Sequence, residues 1–215
     1  MPSNSPASAP RRSPGNRPSD DALLDAACAI FHAVGFRAAV MESIAERANT
    51  TKPTLYAHFG SKDQLYRACL LREADKFRAA LFATYDSASA LDVAGEVRAD
   101  MVVFYEYAAA HPTGFALLFD DAKSEPNTDI RGALVDSVTD RIADRIRAYS
   151  VDHRPTSGHS ADLLGAMLVG IAVHGARQAL RLRSDMTAAG ELAAAMANAA
   201  LRHLDPRVLA AVDAR

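Results

Sequence analysis

Little in this 215-residue chain points to a metal, a membrane or an oxidising compartment. It has two cysteines, Cys28 and Cys69. They stand far apart inside apolar helical pattern with no Cys or His at ligand spacing, so they read as two small buried hydrophobes rather than a disulfide or a zinc site. Neither sign of charge is in large excess: the formal net charge is -2, which by itself does not point to nucleic acid. The first eighteen residues lack the apolar stretch of a signal peptide, and no uninterrupted apolar run is long enough to span a bilayer; the expectation is a cytoplasmic protein with no membrane partner. A phosphate loop, a metal-spaced cluster and a nucleophile elbow are also missing, so no cofactor, no metal and no enzyme activity are expected. His153 and His159 fall in a loop with Pro155 and Gly158 and have no acidic or Cys partner at metal spacing. Asp136, Asp140 and Asp144 recur on one helix face, which reads as a face that meets water.

What is present is the composition of a soluble globular protein, 49% hydrophobic and 23% charged, with length for one core plus a small module. The charge is distributed unevenly. Residues 1–67 hold eight Lys/Arg against six Asp/Glu, and residues 68–215 hold sixteen against twenty. That asymmetry permits DNA binding at the amino-terminal end. Residues 1–18 carry five prolines, four serines and the cations Arg11, Arg12 and Arg17. With so little to bury, this segment cannot offset its ordering entropy and reads as a disordered basic arm.

Ser19 is placed to cap a first helix, with Asp20 and Asp21 in its first turn where the helix dipole favours anions. Leu24, Ala27, Cys28, Phe31 and Val34 follow at helical spacing, and Gly35 is expected to end the helix. Met41 to Ala48 supplies a second short helix with Met41, Ile44, Ala45 and Ala48 inward, and Asn49-Thr50 interrupts it. A third begins at Thr51, which can cap it, with Pro53 in its first turn where the missing N–H has no helical partner anyway. It is too short to stand alone and must be pinned by Leu55 and Phe59. Ser61 stands three residues before Gln64, the spacing of a capping box that opens a long fourth helix. Two short helices around a tight turn, fastened to a lever, are a helix-turn-helix.

Ile44-Ala45 and Ala48, followed by Thr54-Leu55-Tyr56-Ala57-His58-Phe59-Gly60-Ser61-Lys62-Asp63-Gln64-Leu65, resemble the DNA-binding signature of the TetR family of bacterial transcriptional regulators. With Ala26-Ala27, Phe31 and Gly35-Phe36 upstream, the resemblance covers roughly Asp20 to Leu70. Two positions depart from it. The turn holds Asn49-Thr50 in place of Gly and a small apolar residue, and Asn tolerates the same left-handed backbone. Ala39-Val40 offers no hydroxyl to cap the second helix, which weakens its start by about 1 kcal/mol. The resemblance implies that Thr51, Lys52 and Thr54 approach the major groove, and that Tyr56, His58 and Lys62 approach phosphates. Lys62 also has its own argument: a cation in the first turn of a helix opposes the dipole at about 0.3–1 kcal/mol, which an external phosphate would explain.

Beyond the head, apolar periodicity predicts a helix from Ser61 to about Thr84, one from Leu91 to Ala110 broken by His111-Pro112, a short one over Thr113 to Phe119, and one from Ile130 to Val151. Leu163 to Leu182 is apolar nearly all round, and Ala188 to Leu201 is dominated by Ala. A helix apolar on every side needs cover on every side, which suggests a second subunit and a four-helix interface, with a purely intrachain core as the alternative. The fold class is therefore all-α: a basic arm (1–18), a three-helix helix-turn-helix DNA-binding domain (19–67), a helical ligand-binding and dimerisation domain (68–205) and a tail (206–215). The family resemblance implies a homodimer that binds a double-stranded DNA operator and a small-molecule effector. Its function is expected to be that of a repressor released from a palindromic operator by a small, largely apolar ligand. Candidate pocket residues are Met101, Phe104, Tyr105, Phe115, Phe119, Met167, His174 and Gln178, although a Met or aromatic stripe is also what plain core packing produces. A regulator that dimerises without sensing any ligand, and an all-helical enzyme, are the alternatives.

Overall fold

Local signals set where the helices begin. In the computed structural model, which describes residues 19–88, 92–120, 126–153 and 158–214, the Ser19 hydroxyl accepts the Ala22 N–H at 3.3 Å and opens α1 (Asp20–Ala38). The helical backbone of α1 breaks at Gly35, as expected. Gly35 takes φ 76° and ψ 164°, a backbone shape open to glycine, and a further turn runs to Ala38. Val34, expected inward, is 51% exposed just before that break, while Leu23 is fully buried. Helix α2 (Met41–Arg47) starts at Val40 with no side-chain cap. Asn49 adopts φ 48° in the turn, and Thr51 caps α3 (Lys52–Phe59) by accepting the Thr54 N–H at 3.3 Å. Half of the anticipated capping box forms: Ser61 accepts the Gln64 N–H at 3.1 Å, while its own N–H goes to the Phe59 carbonyl.

Helix α4 (Lys62–Ala88) leaves this head and enters the bundle of α5 (Val93–Ala110), α6 (Pro112–Phe119), α7 (Thr128–His153), α8 (His159–Leu182) and α9 (Met186–Arg202). The described residues contain no strand. Leu23, Ala27, Phe31, Ile44, Leu55, Leu65 and Tyr66 form the core of the head, none more than 2% exposed. In the bundle Phe77 of α4 meets Phe104, Tyr107 and Phe119 at 5.2–5.3 Å in edge-on contacts, and Phe115 joins Phe104 and Phe119. Such pairs add about 0.5–1.5 kcal/mol each beyond their burial. The expected arm 1–18 and parts of two loops (121–125, 154–157) lie outside the described residues, as do the side chains of Tyr149 and His153.

The expected tail holds a tenth helix, α10 (Pro206–Asp213), which packs on α8. Its Asp213 carboxylate accepts both the backbone N–H and the hydroxyl of Ser160, each at 2.8 Å, and so caps the start of α8 from outside. Helix α8 has the length and mean hydropathy to cross a bilayer, although His174, Arg177 and Gln178 interrupt its apolar run. In this fold it packs instead against α5, α7, α9 and α10.

Candidate functional site

The outward face of α3 is built by the way its inward face is held. Leu55 is fully buried, Phe59 half-buried, and Thr51, Lys52, Tyr56 and His58 stand exposed with Thr54 between. The hydroxyls of Thr51 and Thr54 bond each other at 2.8 Å, which fixes both rotamers beside the capped turn. Lys52 pairs with Glu42 of α2 and lies 5.9 Å from the Tyr56 ring centroid. Its ammonium pKa is raised, and the Glu42 carboxyl lowered, by that hydrogen bond first. The pair is exposed, so a phosphate oxygen can replace Glu42 at little electrostatic cost. Pro53, Thr54, Ala57 and His58 line a shallow open depression along the helix.

Two expected phosphate contacts are engaged within the chain. His58 Nδ1 lies 2.8 Å from Asp20 Oδ1 at the start of α1. Lys62 donates to the carbonyl oxygens of Phe36 at 2.9 Å, Ala39 at 3.0 Å and Arg37 at 3.5 Å, and its ammonium sits 4.5 Å from the centroid of the Phe36 ring. The end of α1 supplies the negative partial charge that justifies a cation in the first turn of α4. Lys62 therefore has an explanation within the chain beside the expected phosphate: its ammonium ties α4 to α1 and holds the chain that leads into α2.

A set of cations that periodicity did not single out links this head to the bundle. Arg131 of α7 donates from Nε to the Leu117 carbonyl of α6 and from Nη2 to the Tyr66 hydroxyl of α4, both at 2.7 Å. The Tyr66 ring packs on Phe31 and Phe36 of α1, with centroids 4.8 and 5.0 Å away. Arg177 of α8 bonds the Phe119 carbonyl at the end of α6. At the other end of α6 a side chain on Gly114 would strike the buried Glu73 carboxylate of α4. Helix α6 is therefore gripped from α4, α7 and α8 at once. The only sequence trace of this is an arginine at the margin of an apolar stripe, and nothing in the sequence names its partners.

The candidate pocket residues separate into three groups. Met101 and Phe104 line a cavity of about 30 Å³ between α4, α5, α7 and α8, together with Leu81, Asp100, Val138, Ile142, Leu168, Val169 and Ala172. That is room for one or two waters. Tyr105, Phe115 and Phe119 are packed core; burial raises the Tyr105 pKa, and its hydroxyl lies where Gly175 of α8 leaves space. Met167, His174 and Gln178 are exposed, Met167 by 54%, and point away from the bundle. Their placement has a simple cause: an all-round apolar helix has no period that says which face is inside. These three share a stripe opposite Gly165, Leu168, Ala172 and Ala176, which are buried.

Sequence reasoning missed Asp100, the one polar residue in the cavity wall. Its Oδ2 accepts from Arg145 Nη1 at 2.6 Å, and Arg145 Nη2 reaches Glu96 at 2.5 Å, but Oδ1 is buried with no hydrogen-bond partner. Burial pushes the Asp100 carboxyl up to about 6, against the opposing pull of Arg145.

A family model described as bacterial regulatory proteins, tetR family, matches residues 23–69, the stretch that contains α2, α3 and their supports. The HTH-type transcriptional activator FasR of Mycolicibacterium smegmatis is 35% identical over 182 residues, 80% of this chain and 78% of that protein. The HTH-type transcriptional repressor ComR of Escherichia coli is 41% identical over 59 residues, 27% of this chain and 28% of that one. A TetR-like transcriptional regulator from Rhodococcus sp. RHA1 superposes with a TM-score of 0.70 at 26% identity, covering 86% of this chain and 96% of its own. Head and bundle thus match proteins that regulate transcription and are not enzymes, and the chain belongs to the TetR family of bacterial transcriptional regulators.

Proposed function

We propose that the protein works in the cytoplasm as a homodimer whose two heads read a palindromic operator and leave it when a small, largely apolar effector enters the bundle, so that it represses until the effector arrives. The observation that carries this is α3: capped at Thr51, pinned by Leu55, and presenting Thr51, Lys52, Thr54 and Tyr56 outward as a rigid set. Side chains held this way can meet base edges and phosphates without an ordering cost at each encounter. Dimerisation is supported by the outer stripes of α8 and α9, where Leu163 (45%), Met167 (54%), Leu192 (72%) and Met196 (54%) lie exposed on adjacent helices. A monomer would leave that apolar surface in water.

Effector control follows if some ligand binds a bundle with an enlarged cavity better than the bundle described above, because only that difference shifts the equilibrium. The grip on α6 supplies the route: cavity and head share α4 and α7, and Arg131 touches both α6 and Tyr66. Asp100 Oδ1 gives the cavity one unfilled acceptor, which suits an apolar ligand with a single hydrogen-bond donor. A second reading, activation, is favoured by the relative that matches 80% of the chain and is named an activator.

Selection of binding sites from random duplexes with the full-length protein tests the reading. The expected product is an inverted repeat with half-sites about one helical turn, ~34–36 Å, apart. Recovery of no shared sequence, or of single half-sites bound by a monomer, would refute it. Deleting the gene beside a reporter that carries the recovered site separates the two signs: reporter output rises for a repressor and falls for an activator.

A further inference from the structure

The polar face of α3 has beside it an acid to which sequence reading gave no part in DNA recognition. Helix α3 itself, from Lys52 to Phe59, contains no acidic residue. Glu42 comes from the first turn of α2, where the helix dipole favours it. Its Oε1 accepts from Lys52 Nζ across the turn, and both side chains remain exposed. The same ammonium lies 5.9 Å from the centroid of the Tyr56 ring, so the pair sits beside the outward residues of α3 rather than behind them. A carboxylate on a surface that approaches phosphates is repelled by them. Restraining Lys52 is a weak reason for accepting that repulsion, because an exposed ion pair contributes little.

The bonded pair has hydrogen-bonding capacity left over. The ammonium has three N–H donors and spends one on Glu42; the carboxylate has two oxygens and, when ionised, only accepts. A donor and an acceptor are thus held side by side. Across the major groove a G·C pair shows guanine N7 and O6, both acceptors, and then the cytosine N4 amino donor. An A·T pair puts thymine O4, an acceptor, where G·C puts that amino group, and C·G reverses the order.

Resting on the operator reading above, we propose that Glu42 is a specificity-determining residue: its carboxylate accepts from the cytosine amino group of one G·C pair in each half-site, while Lys52 beside it donates to the guanine of that pair. The arrangement reads orientation as well as composition. Turned round, a C·G pair sets the amino group against the ammonium and the guanine acceptors against the carboxylate. An A·T pair sets thymine O4 against the carboxylate, so discrimination comes from repulsion of the wrong base as much as from attraction to the right one.

The test is site selection from random duplexes with the full-length wild type, Glu42→Ala and Glu42→Gln, followed by titration on the selected site. The expected wild-type repeat contains one G·C pair per half-site preferred about tenfold over A·T. Glu42→Ala should lose that preference and Glu42→Gln should reduce it, because an amide can also donate to thymine O4; both should keep the rest of the motif. Replacing the cytosine of that pair with pyrimidin-2-one, which lacks the amino group and leaves the guanine in place, should weaken the wild type about tenfold and leave Glu42→Ala unchanged. Two results overturn the proposal while the operator reading stands. In one, the variants recover the wild-type motif with every preference intact. In the other, Glu42→Ala shifts affinity for all duplexes by one common factor, the behaviour of an acid that only restrains Lys52. A wild type that selects no shared sequence removes the operator reading, and this assignment with it. The pyrimidin-2-one duplex puts the question to the wild-type protein, so the answer does not depend on how a variant folds.

Discussion

Replacing Asp100 with Asn should change the pH dependence of stability, with a sign that the structure fixes. The carboxyl is held at about 6, against 3.8 for an ordinary aspartate, chiefly by burial, with Arg145 acting the other way and Glu96 adding to the rise. Because the folded pKa lies above the unfolded one, the folded chain binds the proton more tightly. Stability from this group is therefore full below about pH 4 and is lost as the pH rises through about 6. The gap between 3.8 and about 6 corresponds to ~3 kcal/mol lost across that window. The Asp100 side chain is 16% exposed, so solvent screening takes little from that figure. Asn keeps the shape and cannot titrate, and Arg145 retains Glu96. Urea unfolding followed by circular dichroism at one fixed protomer concentration, since the dimer proposed above would make stability concentration-dependent, should find the variant gaining on the wild type by ~3 kcal/mol between pH 4 and pH 7.5. For a chain of this size that is a relative rise of about 6–12 °C in melting midpoint. Two pH profiles that run parallel would show that Asp100 is not a desolvated, under-bonded carboxyl and would remove the acceptor assigned to the cavity.

Lys62→Ala should destabilise the head by ~2 kcal/mol, because the carbonyls of Phe36, Arg37 and Ala39 lose a charged donor; a thermal melt unchanged from wild type would return Lys62 to the role of a free phosphate contact. Lys52→Ala, by contrast, should leave the melt alone, weaken duplex binding and lower the salt slope by about one, whereas Thr54→Ala should change which duplexes bind and leave the salt slope as it is; the two variants compared by titration at several salt concentrations must differ in this way. Leu192→Glu places a charge in a stripe that is 72% exposed in the protomer, so the chain should fold yet sediment as a monomer; a dimer under those conditions would move the interface away from α9. Arg131→Lys cannot hold the Leu117 carbonyl and the Tyr66 hydroxyl in one plane, and hydrogen exchange should quicken in α6 and around Tyr66 together, with a change at one end alone breaking the link.

The helix starts of the head were legible because they are local. Ser19, Thr51 and Ser61 each cap an N–H three residues ahead, and Asn49 takes the left-handed turn, without help from distant chain. The resemblance over Asp20 to Leu70 holds for the same reason, since the signature consists of caps, turn and core residues at fixed spacing. The start of α10 is also a local signal, Asp205 before Pro206, but it is short and its value lies in Asp213 reaching Ser160, more than fifty residues earlier.

Sequence alone determined that the chain is helical, where the reading head lies and which face of α3 is polar, because each follows from spacing within a turn or two. Tertiary packing decided what side chains of similar type do once the helices meet. It turned Lys62 inward to α1, set Met167, His174 and Gln178 on the outer stripe, and left Asp100 with one empty acceptor. The physical reason is that a helical period records how apolar a face is and carries no mark of which neighbour will cover it.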